Sequence, residues 1–254
     1  MSLVGVERRG RELGRPPRTQ RLRAPLWAVC RTQLASWRYA SPVNRGARLD
    51  TAALADVTAR TLAHYDGSAQ SFWEGTRHHD VSQNYAALLD AIDGAPPFAL
   101  LDFGCGPGRD LLYFRTHGHE AIGLDGSASF VEMARANSGC EVWHQDFLEL
   151  SLPAARFHGV FANASLFHIP DQELPRVLGE LHATLVAGGV LFCSNPRGQD
   201  TEGFSGDRYG AYHSLETWRA RVTAAGFLEL AHYYRPEGKP RNEQPWLATV
   251  WRRP

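Results

Sequence analysis

From residue 98 to residue 195 the sequence alternates between short apolar segments and amphipathic segments. The apolar segments have the length of buried strands, and segments with helical periodicity separate most of them. Parallel strands need crossover connections, and right-handed crossovers place helices on both faces of a sheet. The five predicted strands are FALLDF, EAIGLD, CEVWHQ, FHGVFANA and GVLFCSN. The alternation therefore predicts an α/β fold with a doubly wound, mostly parallel sheet.

The C-terminal part of the chain departs from this alternation. A predicted helix, SLETWRARVTAAG, is followed by FLELAHYYRP and then PWLATVWRR, with no helix between these two segments. Two strands connected in this way form an antiparallel hairpin. We therefore expect seven strands in total, with an antiparallel C-terminal strand. The helix through Leu174, Val177 and Leu185 is expected to end at Gly188-Gly189.

Residues 51–254 contain the whole predicted domain. Apolar residues recur at helical spacing within residues 51–95, so two or three helices precede the first strand. The sheet and its helices occupy residues 98–254. Within them, residues 196–213 are rich in Gly and polar side chains and too long for a simple connection. We expect a loop with a role of its own there.

The first 50 residues differ from the rest of the chain in charge. Residues 1–48 hold eleven Arg and only two acidic residues, although the whole chain is formally neutral. The remainder therefore carries about nine excess negative charges. We expect residues 1–50 to form a poorly ordered extension, because they lack apolar periodicity and contain Pro16-Pro17. Three interpretations of this segment are open: a transit peptide, a basic docking arm, or upstream sequence included by the choice of start site.

Composition excludes several other classes of protein. No run of about 18 apolar residues is present, so we expect no membrane span. The four cysteines lack the spacing of a metal finger, which is typical of reduced thiols in a cytosolic protein. The two imidazoles of Arg77-His-His-Asp80 face different ways on a helix, and no second cluster has ligand spacing. We therefore expect no metal site.

A glycine-rich turn follows the first predicted strand in LLDFGCGPGRD. Gly104, Gly106 and Gly108 allow a tight turn and let a ligand approach the backbone without meeting a Cβ atom. A phosphate loop would need Gly-Lys-Ser/Thr, which is absent, and a dinucleotide fingerprint would need glycine where Arg109 stands. The turn therefore predicts a ligand loop that does not bind a nucleotide phosphate.

The D-x-G-x-G-x-G arrangement that begins at Asp102 resembles motif I of the class I S-adenosylmethionine-dependent methyltransferases, and the similarity extends over residues 51–254. The resemblance implies a Rossmann-like domain with S-adenosylmethionine as cofactor. It also implies that Asp102 lies near the amino group of the cofactor, while the loop packs against the methionine part. The loop residues implied to bind it are Gly104, Cys105, Gly106 and Gly108.

Two acidic residues follow the next two predicted strands. Asp125 ends the second strand, where a carboxylate can accept hydrogen bonds from both ribose hydroxyls; the alternative is a helix N-cap. Asp146 follows the third strand, and the resemblance implies contact with the adenine amino group, with Phe147 or Trp143 against the ring. A solvated turn residue is the alternative for Asp146. The glycine loop, Asp125 and Asp146 stand at three successive predicted strand ends, and together they are more specific for a cofactor site than any one of them.

The fourth predicted strand ends in FANASLFHIPD, which carries polar residues in an apolar run. Ligands of doubly wound folds lie beyond the carboxyl ends of the strands, so this segment is expected to line the site. Asn163 is a candidate for orienting the cofactor or the substrate. His168 is a candidate general base, because an imidazole titrates near neutrality; a structural histidine is the alternative. The segment lacks the Asn/Asp-Pro-Pro-Tyr/Phe pattern of methyltransferases that act on base amines.

The resemblance also implies a lid and a substrate loop. Tyr65, Phe72 and Trp73 match an aromatic pattern of the helices that cover the cofactor and exclude water. Residues 196–213 correspond to an insertion that closes on the methyl acceptor, and an Arg beside phenols suits a substrate carboxylate. The alternative for the aromatic residues is an amphipathic packing face, and the alternative for residues 196–213 is a mobile surface loop. The implied substrate contacts are Trp73, Arg208, Tyr209 and Tyr212.

We expect an S-adenosylmethionine-dependent methyltransferase that acts on a small-molecule acceptor at oxygen, nitrogen or sulfur. The acidic body of the protein opposes phosphate binding and disfavours nucleic acid as a partner. There are two alternatives to this function. One is an RNA or protein methyltransferase that docks through the basic arm, and the other is a cofactor-binding module without catalysis. A cytoplasmic monomer or homodimer is expected, or an organellar protein if the Arg-rich segment is a transit peptide.

Overall fold

The computed structural model describes residues 48–254, and the Arg-rich segment with its three interpretations lies almost entirely outside these residues. The described residues form six α-helices, nine strands and two short 3₁₀ turns. The helices are α1 (Thr51–Thr76), α2 (Ser82–Leu89), α3 (Arg109–Thr116), α4 (Ala128–Ser138), α5 (Leu174–Thr184) and α6 (Leu215–Ala224). The strands are β1 (Ala99–Phe103), β2 (Glu120–Asp125), β3 (Glu141–His144), β4 (Phe157–Asn163), β5 (Leu185–Pro196), β6 (Thr201–Ser205), β7 (Arg208–Tyr212), β8 (Leu228–Arg235) and β9 (Trp246–Arg252).

Seven strands form one sheet in the order β3-β2-β1-β4-β5-β9-β8. Strands β1 to β5 pair in parallel, whereas β9 lies between β5 and β8 and is antiparallel to both. The predicted Rossmann-like sheet with one antiparallel C-terminal strand is confirmed. The strand order reverses between β1 and β4, so the carboxyl ends of these two strands flank the crevice in which such folds bind ligands.

Both faces of the central strands are buried, which explains why they read as continuous apolar runs. Leu101 and Phe103 of β1 face a core that extends below α5 and α6 to Trp218 and Trp251. Leu100 faces the opposite core, which includes residues of α2 and α3. The buried sheet therefore gives rigid support to the loops at its edge.

The structure differs from the sequence-based expectation at the end of α5. The helix ends at Thr184 and not at Gly188-Gly189, and Leu185 already pairs with Phe157 of β4. The carbonyls of Ala183 and Thr184 accept hydrogen bonds from backbone N–H groups of the segment before β4. These bonds satisfy the carbonyl groups at the end of α5 without a glycine cap, so β5 begins at the next residue.

Residues 196–213, expected as a loop, contain an antiparallel hairpin formed by β6 and β7. The Tyr209 backbone N–H donates to Thr61 Oγ1 of α1 at 3.0 Å, and the Asp171 N–H donates to Glu202 Oε2 at 2.8 Å. These bonds hold the hairpin against α1 and against the segment that follows β4. None of the described helices has the length and apolarity to cross a membrane.

Candidate active site

The glycine loop between β1 and α3 has a left-handed backbone at its three glycines. A Cβ atom at Gly104 would lie 2.4 Å from Ser165 Cβ, and one at Gly108 would lie 2.8 Å from the Ala134 Cα. Because side chains rarely adopt these angles and cannot occupy this space, the two positions require glycine. Gly106 has more room, with Phe72 Cε1 at 3.8 Å. The loop is therefore held tightly between the end of β4 and α4.

Asp125 ends β2 beside this loop, as predicted. Its carboxylate accepts hydrogen bonds from the N–H groups of Gly106 at 2.9 Å and Ser127 at 2.9 Å. Burial raises the pKa of Asp125 to about 6, although these backbone N–H groups act in the opposite direction. A carboxylate offers about four acceptor positions, so acceptor capacity remains after these two bonds. The N-cap of α4 is Ser127, which leaves Asp125 directed at the loop.

Asp102 lies in β1, where the sequence predicts the start of the ligand loop. It is 1% exposed, and its Oδ2 atom has no hydrogen-bond partner among the described residues. Burial is the largest cause that raises the pKa of Asp102 well above its usual range, and the nearby Asp110 is the second. Arg109 acts in the opposite direction. The Oγ atom of Ser165, which packs against Gly104, is also buried without a partner. Two buried polar atoms without a partner therefore lie beside one loop, and such atoms are uncommon in folded proteins.

Asp110 and Arg109 at the start of α3 form a network that sequence reasoning missed. Arg109 makes two hydrogen bonds to the Asp110 carboxylate, at 2.7 and 2.9 Å, and Tyr85 of α2 donates to the same group at 2.6 Å. Asn163 Nδ2 also approaches Asp110 at 3.4 Å, while Asn163 Oδ1 accepts from Asn84 Nδ2 at 3.0 Å. Asn163 therefore links the end of β4 to α2 and α3. Its predicted role in catalysis and cofactor binding stays a prediction.

Asp146 and Phe147 follow β3 at the edge of the site. Asp146 Oδ1 accepts a hydrogen bond from the Leu148 N–H at 2.8 Å, and burial raises the Asp146 pKa. The ring of Phe147 stacks on Phe103 with centroids 4.4 Å apart, and its Cζ atom lies 3.2 Å from the Cβ position of Gly104. Phe147 thus reaches the glycine loop, whereas Trp143 packs against Phe157 of the core.

Helix α1 packs against α4 beside the glycine loop. Tyr65 and Phe72 pack against Phe130 of α4 with ring centroids 5.4 and 5.1 Å away, and Phe72 reaches Gly106. Asp66 accepts hydrogen bonds from Ser127 Oγ and the backbone N–H of Ser129 at the start of α4. Trp73 is half-buried in the same helix. Cys105 is buried within the loop, and burial raises the pKa of its thiol.

Both ring nitrogens of His168 have partners. Nδ1 lies 2.6 Å from the Tyr209 carbonyl oxygen, and Nε2 lies 2.8 Å from the Tyr65 hydroxyl. A carbonyl can only accept, so Nδ1 carries the proton and Nε2 accepts the Tyr65 O–H. Burial lowers the pKa of His168 to about 4. His168 is therefore neutral and joins α1 to the hairpin; its role as a general base stays a prediction.

This environment predicts a pH dependence of stability. The unfolded imidazole binds a proton below about pH 6.5 and the folded one only below about pH 4, so stability falls as the pH drops through this interval. We expect His168 to contribute about 1–3 kcal/mol to that loss of unfolding free energy. Denaturant unfolding at pH 7 and pH 4.5 should show a smaller difference for His168→Gln than for the unsubstituted protein. Equal differences would contradict the buried neutral state of His168.

The hairpin holds three of the predicted substrate residues, whose side chains lie in different surroundings; their role in substrate binding stays a prediction. Arg208 begins β7, and burial raises the pKa of Tyr65 and of Tyr212 while the positive charge of Arg208 acts in the opposite direction. Tyr209 is 1% exposed, and its ring packs against Phe204. Its carbonyl group contacts His168, whereas its side chain points away from solvent. Tyr212 is buried, with its ring 6.1 Å from Phe167. Among residues 48–254, no group of three or more His, Cys, Asp or Glu residues could hold a metal ion.

The structure defines a doubly wound α/β domain with a candidate ligand site beside a glycine loop. Residues 100–189 match the family model described as "Methyltransferase domain". The chain is 37% identical over 103 residues to a trans-aconitate 2-methyltransferase of Azoarcus sp. (strain BH72), which covers 40% of each protein. It is 31% identical over 145 residues to a malonyl-[acyl-carrier protein] O-methyltransferase of Enterobacter lignolyticus (strain SCF1), with 56% of this chain and 53% of that protein covered.

The aligned parts span about half the length of these curated relatives or less. Among solved structures, the chain resembles a 1,6-didemethyltoxoflavin-N1-methyltransferase of Burkholderia thailandensis with bound 1,6-didemethyltoxoflavin and S-adenosylhomocysteine. The TM-score is 0.62 at 22% identity, over 84% of this chain and 94% of that one. This likeness shows the fold. The match over residues 100–189 and the methyltransferase relatives support the class I S-adenosylmethionine-dependent methyltransferase family, which the sequence also resembles.

Proposed function

We propose that this protein transfers a methyl group from S-adenosylmethionine to a small-molecule acceptor. The observation that carries the proposal is the pair of acidic groups, Asp102 and Asp125, on either side of a loop that admits no Cβ atom at Gly104. When bound, the cofactor supplies a methyl group on a positively charged sulfur. A loop flanked by two carboxyl groups therefore suits this cofactor better than it suits a nucleotide phosphate.

The residues present fit this cofactor. The unpartnered Oδ2 atom of Asp102 is an acceptor for an ammonium group, and Asp125 retains acceptor capacity for two hydroxyls. Phe147 reaches the loop and offers an apolar surface to an aromatic base, with Asp146 beside it. Tyr65 and Phe72 of α1 cover the loop and exclude water from it. Alignment and desolvation are the main contributions that such a site makes to methyl transfer.

The acceptors named for the relatives, trans-aconitate and malonyl-[acyl-carrier protein], support an acceptor that is small or is presented on a small group. The excess of negative charge outside residues 1–48 supports the same class over nucleic acid. Docking of RNA or protein through the Arg-rich arm would involve residues outside the described part of the chain. It would show as a loss of activity when residues 1–48 are removed.

Cofactor binding should depend on pH through Asp125. The ionised carboxylate accepts from the ribose hydroxyls, and its pKa is about 6 in the free protein. Binding of S-adenosylhomocysteine should therefore be roughly tenfold weaker at pH 5 than at pH 7, measured by calorimetry. Asp125→Asn should reduce affinity at pH 7 by about 10–100-fold and remove most of this pH dependence.

Asp200→Asn is the matched control, because this carboxylate accepts from the Ser214 N–H away from the glycine loop. It should bind like the unsubstituted protein at both pH values. Circular dichroism at pH 5 must show the folded state. Constant affinity from pH 5 to pH 7 would contradict the role of Asp125. No binding of S-adenosylhomocysteine at any pH would overturn the proposed function.

The acceptor can be sought directly. The full chain is incubated with a metabolite extract and S-adenosylmethionine that carries a labelled methyl group, and mass spectrometry identifies any molecule that gains the label. Transfer to a small molecule supports the proposal. Binding of the cofactor without transfer to any molecule of a broad acceptor panel would favour a cofactor-binding module.

A further inference from the structure

Two guanidinium groups lie over one aromatic ring near the end of β8. The Cζ atom of Arg241 is 3.2 Å from the centroid of the Tyr234 ring, and the Cζ atom of Arg197 is 5.5 Å from it. Arg197 Nη2 donates a hydrogen bond to the Arg241 carbonyl oxygen at 2.8 Å, and the Arg197 backbone N–H donates to the Pro245 carbonyl oxygen at 2.7 Å. These contacts hold two positive charges close to each other.

The Arg197–Arg241 pair lies at the same edge of the sheet as the candidate active site. Arg197 directly follows β5, and Arg241 lies in the connection between β8 and β9. The start of β9 lies beside the end of β5, where Pro196 pairs with Trp246. The connection therefore lies next to the carboxyl ends of the parallel strands, at which doubly wound folds bind ligands.

Two hydrogen bonds join the end of β8 to the end of β4. Arg235 Nη1 donates to Asn84 Oδ1 at 3.0 Å, and Asn84 Nδ2 donates to Asn163 Oδ1 at 3.0 Å. Asn163 also approaches Asp110 of α3, the helix that follows the glycine loop. One side chain, that of Asn84, therefore bridges the strand that carries Tyr234 and the strand that ends at the candidate site.

The acidic residues that are close in sequence form no ion pair with these arginines. Glu237 and Glu243 belong to the connection between β8 and β9 and are exposed, and Asp200 accepts a hydrogen bond from the backbone N–H that precedes α6. None of the ion pairs among residues 48–254 includes Arg197, Arg241 or these three acids. Two cations held together in this way create a local positive potential, which attracts an anion.

The geometry and the charge of the pair suit a phosphate monoester. A guanidinium that lies over a ring keeps its N–H donors directed outward in its own plane, where they match phosphate or carboxylate oxygens. A phosphate monoester has three acceptor oxygens and a charge of about −1.5 to −2 near neutral pH, which matches two guanidinium groups better than one carboxylate does. The excess negative charge outside residues 1–48 opposes the many phosphates of a nucleic acid. A single phosphate group on a small molecule is therefore favoured.

We propose that Arg197 and Arg241 bind a phosphate group that the methyl acceptor carries apart from its reacting atom. This inference rests on the proposed function and names the chemical class of the acceptor. The phosphate group does not react. It fixes one end of the acceptor, and its binding energy orients the other end toward the cofactor. Tyr234 is a positioning residue, because both guanidinium groups lie over its ring.

The first test measures the binding of phenyl phosphate by calorimetry, with the full chain saturated with S-adenosylhomocysteine. Phenyl sulfate is the comparison probe, because it has a similar shape but a single charge. Phenyl phosphate should bind about tenfold or more tightly than phenyl sulfate near neutral pH. Arg197→Gln and Arg241→Gln should each weaken its binding by about 10–100-fold, whereas Arg197→Lys and Arg241→Lys should retain part of it.

Arg156→Gln is the matched control, because the Arg156 Cζ atom also lies over an aromatic ring, 5.4 Å from the centroid of Trp143, but directly before β4 at the opposite edge of the sheet. It should bind phenyl phosphate like the unsubstituted protein. Tyr234→Leu keeps both charges and removes the ring, so it should weaken binding severalfold, and Tyr234→Phe should restore it. Unchanged binding by Tyr234→Leu would contradict the positioning role of the ring.

The second test distinguishes a phosphate group on the acceptor from free phosphate. A metabolite extract is treated with alkaline phosphatase, freed of that enzyme by ultrafiltration, and incubated with the full chain and labelled S-adenosylmethionine. The control extract receives heat-inactivated phosphatase and the same amount of inorganic phosphate. The labelled product should form in the control extract, decrease strongly after phosphatase treatment, and decrease in Arg241→Gln. Unchanged labelling after phosphatase treatment would overturn the assignment of the phosphate to the acceptor.

The outcomes separate this inference from the proposed function. Affinity for S-adenosylhomocysteine should be unchanged in Arg197→Gln and in Arg241→Gln, and circular dichroism should show that both variants are folded. Arg241 is exposed, so its substitution leaves the core intact. Binding of phenyl phosphate that is insensitive to both arginines would overturn the phosphate site and leave the methyltransferase function intact. Failure of the unsubstituted protein to bind S-adenosylhomocysteine would overturn the proposed function itself.

Discussion

Gly104→Ala is expected to abolish detectable cofactor binding and to lower the free energy of unfolding by about 2–4 kcal/mol. The new Cβ atom would lie 2.4 Å from Ser165 Cβ, and Phe147 Cζ lies 3.2 Å from the same point. The Ser165 Cβ atom is bonded directly to the backbone, so the backbone of the loop or of the segment after β4 must move. Either movement displaces the loop from Asp125, whose carboxylate accepts from the Gly106 N–H.

Gly118→Ala separates the steric effect from the backbone effect. Gly118 has a φ of +84°, close to the +77° of Gly104, but no atom lies within 4 Å of its Cβ position. We expect the free energy of unfolding of this variant to fall by only about 1–2 kcal/mol, which is the cost of a left-handed backbone at a residue with a side chain. The variant should bind S-adenosylhomocysteine normally. Chemical denaturation and calorimetry measure both quantities. Equal losses in the two variants would show that the contact with Ser165 does not constrain the loop.

Asp102→Asn is expected to stabilise the free protein and to weaken cofactor binding, which are changes of opposite sign. The buried carboxyl has an unpartnered Oδ2 atom and a pKa raised by burial and by Asp110, so its ionised form is unfavourable in the folded state. A neutral amide of the same shape should raise the unfolding free energy at pH 7 by about 1–3 kcal/mol. By the proposed function the same substitution removes an acceptor for the cofactor ammonium, and S-adenosylhomocysteine should bind about 10–100-fold more weakly.

The gain in stability has a defined pH window. A folded pKa above the unfolded value of about 3.8 means that stability falls as the pH rises through 3.8 toward the folded pKa. The advantage of the amide should therefore be largest near neutral pH and disappear below about pH 4. Thermal and denaturant unfolding of both proteins at pH 4 and pH 7 measure it. An Asn variant that is less stable at pH 7 would contradict an unpaired Asp102.

Asp110→Asn is the matched comparison, because Asp110 is also buried but is paired with Arg109 and Tyr85. Removing one partner of a buried ion pair leaves the other charge uncompensated, and we expect a loss of about 3 kcal/mol. The same chemical substitution should thus change stability in opposite directions at positions eight residues apart. The difference reflects the partners of each carboxylate, because both are buried.

The sequence by itself determined the sheet and the position of the glycine loop at its edge. Strand and helix periodicities are local properties, and parallel strands have few ways to connect, so seven strands and the antiparallel C-terminal one could be predicted. The positions of the glycine loop, Asp102 and Asp125 could be predicted because each lies at or directly after the carboxyl end of a strand. In a parallel sheet the strand ends meet at one edge, which brings these residues together without further information.

The tertiary structure alone decided how α1, the turn after β4 and the hairpin meet. Tyr65, His168 and the Tyr209 carbonyl come from these three elements, and the contact between Tyr65 and His168 spans 103 residues. No periodicity encodes the angle at which α1 and the hairpin pack over the sheet. The contact of Ser165 with Gly104, the pairing of Asp110 with Arg109 and the early end of α5 likewise depend on neighbours distant in sequence. A hydrogen bond requires an exact distance and direction between its groups, and only the packed chain sets these.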